Sequence, residues 1–194
     1  MPDSSSFPNE IFGFNFTEYL SVFVALIFAL AVGEFFLSIG SLIRSRNRVT
    51  LYWEFILWLL ILLHFFIIAW FTGWPRFAYL KLSLFNYFLI ISPYLVIFAI
   101  VAVYFPDISS HKEINLKTHF QSSRKSFFIL WAIYLIANFI IDLVMPTLFN
   151  SFTIWLEIVY ILLLFIAAFY DKIWFRLLLA LIMIADMVSA LIYL

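Results

Sequence analysis

Long apolar runs, separated by short polar segments, dominate the pattern of hydrophobic and polar positions along the chain. A helix needs roughly 20 mostly apolar residues, at a rise of about 1.5 Å each, to cross the hydrocarbon core of a bilayer. Six stretches meet this length: residues 19–43, 52–71, 82–104, 127–145, 152–170 and 173–194. The longest polar segment between them, residues 105–126, is predicted to be an extended loop.

The apolar runs predict helices rather than strands, because they are continuous. A strand of a membrane barrel alternates apolar and polar residues over about ten positions. Helices and closed barrels are the two structures that satisfy every backbone hydrogen bond in lipid. The pattern therefore predicts an all-α fold, a polytopic transmembrane helical bundle of about six spans that forms one domain over residues 1–194.

The basic residues are distributed unevenly over the predicted loops and so indicate an orientation. Nine of the eleven lysines and arginines fall at the first, third and fifth loops, on one side of a six-span bundle. They are Arg44, Arg46, Arg48, Lys112, Lys117, Arg124, Lys125, Lys172 and Arg176. Because cytoplasmic loops carry the excess of basic residues, the loop at 105–126 is predicted to be cytoplasmic and both termini non-cytoplasmic.

Composition agrees with a membrane protein and excludes several chemistries. Hydrophobic residues make up 66% of the 194 positions and charged residues 11%, whereas a soluble domain carries about a quarter charged. The lipid bilayer is thus the expected partner, and a net charge of zero gives no reason to expect nucleic acid. The absence of cysteine excludes disulfides and thiol chemistry. No catalytic motif occurs, so we expect no catalytic residue, cofactor or metal site.

The predicted loop 105–126 has its own local pattern. Ser110 and Glu113 have the spacing of a capping box that opens a helix. Ile114, Leu116 and Phe120 would then lie along the membrane surface ahead of the fourth span. The alternative is a solvated connector.

Five polar residues within the predicted spans are candidates for an ion or proton site: His64, Asn138, Asp142, Glu157 and Asp186. An ionisable side chain at the centre of a membrane helix costs roughly 2.5–3.5 kcal/mol on insertion scales, so each needs a reason to be there. The predicted orientation puts Asp142, Glu157 and Asp186 at similar depth in the outer half. They form either a functional proton or cation site or a neutral hydrogen-bonded core that fixes helix rotation.

Three further ionisable residues, Glu34, Glu54 and Arg176, form a second layer of candidates in the cytoplasmic half. Glu34 follows a stripe of small residues, Ala25, Ala29 and Gly33, that predicts close approach of another helix, within the chain or across a dimer. The alternative for Glu34 is an ion pair with Arg176 or with an arginine of the first loop. Glu54 and Arg176 are expected to snorkel to the interface.

Three segments resemble a group of small bacterial polytopic membrane proteins for which no activity is established. The first is Gly33-Glu-Phe-Phe, followed by Leu42-Ile-Arg-Ser-Arg-Asn-Arg-Val-Thr-Leu-Tyr-Trp53. The other two are Phe105-Pro-Asp107 and Arg124-Lys-Ser-Phe-Phe128. The resemblance covers roughly the first two thirds of the chain and implies a location in the bacterial inner membrane, with no implication for mechanism.

Two functional hypotheses follow from the sequence. One is a small proton- or cation-linked transporter or channel that uses the outer-half carboxylates with His64. The other is a non-enzymatic membrane subunit, sensor or scaffold that docks partners through its cytoplasmic loops. Self-association into a homo-oligomer and membership of a larger membrane complex both remain open.

Overall fold

The computed structural model describes residues 10–11, 14–73, 83–108, 113–144 and 151–193. Its described part contains six α-helices: α1 (Phe16–Arg44), α2 (Trp53–Gly73), α3 (Leu84–Tyr104), α4 (Leu116–Val144), α5 (Ser151–Phe169) and α6 (Ile173–Tyr193). It also contains four two-residue strands: β1 (Glu10–Ile11), β2 (Phe14–Asn15), β3 (Val49–Thr50) and β4 (Ile114–Asn115). A 3₁₀ turn spans Arg46–Arg48, after α1.

The predicted all-α polytopic bundle is confirmed. Four of the helices, α1 to α4, are long and apolar enough to cross a membrane, and α5 contains a shorter apolar stretch, Trp155–Phe169. Helix bounds lie within a few residues of the predicted spans, except that α4 begins eleven residues earlier than residue 127. The length of an apolar run therefore indicates these helices well, because each has to span a bilayer of fixed thickness.

Apolar side chains cover the outside of the bundle as well as its inside. On α1 alone, Leu26, Leu30 and Leu37 are 60%, 66% and 65% exposed. Water-soluble proteins rarely expose contiguous apolar surface on this scale, since each such side chain costs about 1.5–3 kcal/mol when it is not buried. Lipid tails are the solvent that removes this cost, and the chain is a membrane protein.

Helix α4 lies at the centre of the bundle and packs against both α3 and α5. Helix α1 packs on α3, and α2 packs against α6 and α4. The core is aromatic: Trp58 of α2 lies 4.9 Å from Phe128 and 5.9 Å from Trp131, measured between ring centroids. These edge-on contacts bury both tryptophans almost completely and hold α2 to the central helix.

The predicted loop 105–126 is shorter in the structure, because α4 begins at Leu116. The carboxamide Oδ1 of Asn115 accepts hydrogen bonds from the backbone N–H groups of Lys117, at 3.0 Å, and Thr118, at 3.2 Å. Asn115 therefore caps the helix. The predicted cap residue, Ser110, lies outside the described residues.

At Ile114, Leu116 and Phe120 the predicted surface helix and its alternative, a solvated connector, are both wrong. Leu116 and Phe120 are fully buried, and Ile114 is 8% exposed. The Phe120 ring lies 6.2 Å from Tyr52 and 6.3 Å from Tyr104, measured between centroids. Since these apolar side chains have a core to enter, they pack there rather than on the membrane surface.

A short parallel strand pair joins two of the connections at this end of the bundle. Val49 of β3 pairs with Ile114 of β4, and Thr50 pairs with Asn115. We call the end of the bundle that carries β3, β4 and the α5–α6 turn the loop-one end. Backbone pairing there ties the α1–α2 connection to the start of α4.

The small-residue stripe on α1 has open space at Gly33. A Cβ atom built on Gly33 meets nothing within 4 Å, and Ala29 is exposed. The predicted close approach within the chain is therefore wrong at Gly33. A contact across a dimer stays a prediction.

Candidate functional site

A cleft of about 380 Å³ lies between α2, α4, α5 and α6, away from the loop-one end. Three of the five candidates for an ion or proton site line it, each from a different helix: Asn138 of α4, Glu157 of α5 and Asp186 of α6. Sequence spacing predicted similar depths for Asp142, Glu157 and Asp186, and the last two of these line the same cavity. Its volume falls in the range of about 300–1,000 Å³ that is usual for small-molecule clefts.

The polar groups of this cleft are held by local bonds. The Nδ2 atom of Asn138 donates to the backbone carbonyl of Tyr134 at 2.8 Å, one turn earlier on α4. The hydroxyl of Tyr160 is a side-chain hydrogen-bond partner of Asp186 and so joins α5 to α6. Phe65 lies 4.7 Å from Tyr134, centroid to centroid, and completes an aromatic wall.

Tyr134 and Tyr160 are site residues that the sequence analysis missed. Tyr160 follows Glu157 by three positions, and Tyr134 precedes Asn138 by four. These spacings put each tyrosine on the same helix face as the polar residue beside it. The signal was therefore present in the sequence.

Two of the predicted candidates do not line the cleft. Asp142 lies one turn beyond Asn138 on α4 and is half-buried outside the cleft. His64 is half-buried on α2 next to Phe65, which does line it. Within the described part of the chain, His64 Nε2 is buried without a hydrogen-bond partner.

A buried ion pair lies at the loop-one end, between α2 and α6. Arg176 Nε donates to Glu54 Oε1 at 2.5 Å, and Arg176 Nη2 donates to Glu54 Oε2 at 3.1 Å. Glu54 is fully buried, and Arg176 is 3% exposed. Two nearly parallel N–H···O bonds of this kind are the strongest arrangement that a guanidinium and a carboxylate form.

This pair corrects two expectations about the second layer of candidates. Glu54 and Arg176 were expected to snorkel to the interface, and instead both side chains point inward and bind each other. Arg176 was considered as a partner for Glu34, which instead accepts a hydrogen bond from Ser38 Oγ at 3.4 Å. The partners lie 122 positions apart, so no local spacing could have revealed the pair.

Further polar groups extend the pair toward the surface. The Tyr52 hydroxyl donates to Glu54 Oε2 at 2.6 Å, and Asp171 lies 3.6 Å from Arg176 Nη1. Arg124 of α4 binds Asp171 in the α5–α6 turn. Burial and the hydrogen bond to the Glu54 carboxylate raise the pKa of Tyr52 to about 12, because both disfavour a second negative charge there. The network thus links α2, α4 and α6.

The cleft and the ion pair lie on the same helix at different depths. Asp186 follows Arg176 by ten residues along α6, which is about 15 Å at the helical rise. Between them Leu179, Ala180 and Met183 are buried in the core. The cleft is therefore separated from the loop-one end first by packed apolar side chains and then, nearer that end, by the ion pair.

The fold and the site define an integral membrane protein, an α-helical bundle with a polar cleft and, at another depth, a buried ion pair. No family model matches the chain, and neither a curated protein nor a solved structure matches it. Within the described residues, no group of three or more His, Asp or Glu side chains is arranged to hold a metal ion.

Proposed function

We propose that this protein is a small proton- or cation-linked membrane transporter or channel, with its binding site in the cleft of Asn138, Glu157 and Asp186. The observation that carries the proposal is the meeting of these three side chains, from three helices, in one cavity. Carboxyl groups inside a bilayer are expensive, and a proton or a bound cation that neutralises them reduces the cost.

The closed loop-one end supports the same proposal. A transport cycle alternates between states in which the binding site is open to one side only. The cleft is bounded toward the loop-one end by buried core residues and by the Glu54–Arg176 pair. This arrangement corresponds to a state closed on that side, and the ion pair is the bond that has to separate for the other state to form.

The proposal is tested by flux through the purified protein in liposomes. Proton and monovalent cation flux is measured with a pH-sensitive dye and with ion-selective probes, for wild type, Glu157→Gln and Asp186→Asn. Each amide keeps the shape of the acid but cannot exchange a proton or carry a charge. We expect both variants to fold and to lose at least tenfold in flux.

Asp142→Asn is the matched control, because Asp142 is a carboxylate on the same bundle that does not line the cleft. It is expected to keep flux within about twofold of wild type, since it leaves the lining side chains in place. Flux that survives in both cleft variants would remove the carboxylates from the mechanism. Wild-type protein without any proton or cation flux would overturn the transport proposal itself.

The orientation, the six crossings and the bacterial inner-membrane location belong to the same proposal. They rest on the excess of basic residues at the loop-one end and on the resemblance of three segments to small bacterial proteins. Because the chain has no cysteine, single cysteines at Ser45 and Ser83 can be labelled from outside intact cells with an impermeant reagent. Labelling of Ser83→Cys alone is expected, and labelling of Ser45→Cys alone would reverse the orientation.

A second candidate function is a membrane subunit or scaffold. It is favoured by the order of the loop-one end, where β3 pairs with β4 and Asn115 caps α4. An ordered cytoplasmic surface is what a docking partner needs. Under this hypothesis a partner protein, or a second copy packed on the Ala29–Gly33 stripe, co-purifies with the chain, and cleft variants have no effect on that association.

A further inference from the structure

A polar groove runs between the second half of α1 and the end of α3, on the side of the bundle away from the cleft. It encloses about 630 Å³. Six polar or charged side chains line it: Glu34, Ser38, Ser41, Arg44, Ser45 and Asp107. The groove plays no part in the proposed transport site, and it lies beside the exposed, lipid-facing Leu37.

The polar side chains form a continuous row along α1. Ser38, Ser41 and Ser45 follow Glu34 at intervals of three or four residues, so they share one helix face. Ser38 Oγ donates to Glu34 Oε1 at 3.4 Å, and Arg44 Nη2 donates to Ser41 Oγ at 3.1 Å. From Arg44 to Glu34 the row descends ten residues, which is about 15 Å along the helix.

This row is unusual because much of it lies at a depth where lipid tails offer no hydrogen bonds. Polar groups in hydrocarbon need partners, and each unsatisfied group costs several kcal/mol. The short serine side chains leave the groove open rather than filled by protein. At the end of the groove nearest the loop-one end, Arg44 provides a positive group and Asp107 a negative group, at the level where lipid headgroups lie.

We propose that the groove binds the headgroup of a phospholipid that carries both a phosphodiester and a primary ammonium. The phosphate oxygens accept from the Arg44 guanidinium and from the Ser41 and Ser45 hydroxyls. The ammonium donates to the Asp107 carboxylate at the mouth of the groove. Ser38 and Glu34 lie deeper in the groove, at the level of the acyl chains. Opposite charges at the mouth favour a zwitterionic headgroup over an anionic one.

The probes for the test are phosphatidylethanolamine, phosphatidylglycerol, diacylglycerol and inorganic phosphate. The delipidated protein in detergent is titrated with each, and bound molecules are counted by native mass spectrometry. Phosphatidylethanolamine is expected to bind about tenfold more tightly than phosphatidylglycerol, which has no ammonium for Asp107. Diacylglycerol, which has no phosphate, and inorganic phosphate, which has no acyl chains, are expected not to compete.

Two variants locate the site. Arg44→Gln removes the phosphate partner and is expected to weaken phosphatidylethanolamine binding about tenfold. Ser38→Leu puts a bulky apolar side chain into the groove and is expected to abolish binding, with a monodisperse elution profile as the check on folding. Arg46→Gln is the matched control, because Arg46 follows α1 and is exposed like Arg44 but does not line the groove.

Each alternative outcome overturns a defined part of the proposal. Equal binding of phosphatidylglycerol and phosphatidylethanolamine removes the ammonium from the recognition. Competition by inorganic phosphate identifies the ligand as a free anion instead of a lipid. Unchanged lipid binding in both Arg44→Gln and Ser38→Leu places the lipid elsewhere on the bundle. Since none of these measurements uses flux, they do not depend on the transport proposal.

Discussion

Replacing Arg176 by methionine is expected to destabilise the bundle strongly. Arg176 is 3% exposed and makes both of its short carboxylate bonds to Glu54, which is fully buried. Methionine matches the length of the arginine stem but leaves the Glu54 charge without its partner. Removing one member of a buried ion pair costs about 3–5 kcal/mol.

The lower part of that range is the better estimate for this site. Glu54 keeps the hydrogen bond from the Tyr52 hydroxyl at 2.6 Å, which continues to stabilise its charge after Arg176 is lost. We therefore expect a loss of about 3 kcal/mol, a large fraction of a typical stability of about 5–15 kcal/mol. Replacing both partners, with Glu54→Leu and Arg176→Met, is expected to be nearly neutral, because no charge is then left buried.

The assay is equilibrium unfolding in mixed micelles, followed by circular dichroism as the denaturing detergent is increased. Asp171→Asn is the control, since it removes a charge that is 81% exposed and is expected to cost less than about 1 kcal/mol. The reasoning is refuted if Arg176→Met costs no more than Asp171→Asn. A double variant as unstable as Arg176→Met would show that the pair stabilises through more than charge compensation.

Three other predictions follow from single contacts. The pKa of the Tyr52 phenol should be about 12 rather than 10. The stability that this group contributes is therefore present below pH 10 and is lost between pH 10 and 12. The difference between the absorbance titrations of wild type and Tyr52→Phe measures this pKa. Asn115→Ala removes the α4 cap and should cost about 1 kcal/mol in the same unfolding assay, whereas Asn115→Asp, which can still accept both bonds, should cost less. Gly33→Leu should leave the melting temperature of the monomer unchanged, and a loss of dimer in light scattering would show that the stripe mediates self-association.

The sequence predicted the helices well because the bilayer imposes their length. Each apolar run of about 20 residues became a helix, and the bounds of α2 and α3 differ from the predicted spans by two residues or fewer. The start of α4 was missed because its first turns carry Lys117, Arg124 and Lys125 and look like a solvated loop by hydropathy. Leu116 and Phe120 are buried because they pack against other helices. The hydropathy of a sequence window carries no information about such tertiary contacts.

Lateral packing was the part that the sequence could not predict. Lipid tails and a protein core are equally apolar, so an apolar residue does not reveal which of the two it faces. Depth can be read from position along a span, and it grouped Asp142, Glu157 and Asp186, of which Glu157 and Asp186 line one cleft. Rotation about the helix axis cannot be read in this way, and it is rotation that excluded Asp142 from the cleft and paired Glu54 with Arg176.

The buried ion pair also separates the two functional hypotheses. A transporter has to open its cleft to both sides in turn, so Glu54 and Arg176 have to part during each cycle. When the two charged side chains of the wild type separate, water hydrates them at the interface. When a leucine and a methionine in the same positions separate, each exposes apolar surface, at a cost of about 1.5–3 kcal/mol. The Glu54→Leu, Arg176→Met double variant should therefore fold normally and still lose about tenfold or more in flux.

A docking subunit has no need to break this contact, so the same variant would retain its partner. Full flux in the double variant would mean that the permeation path does not pass between α2 and α6.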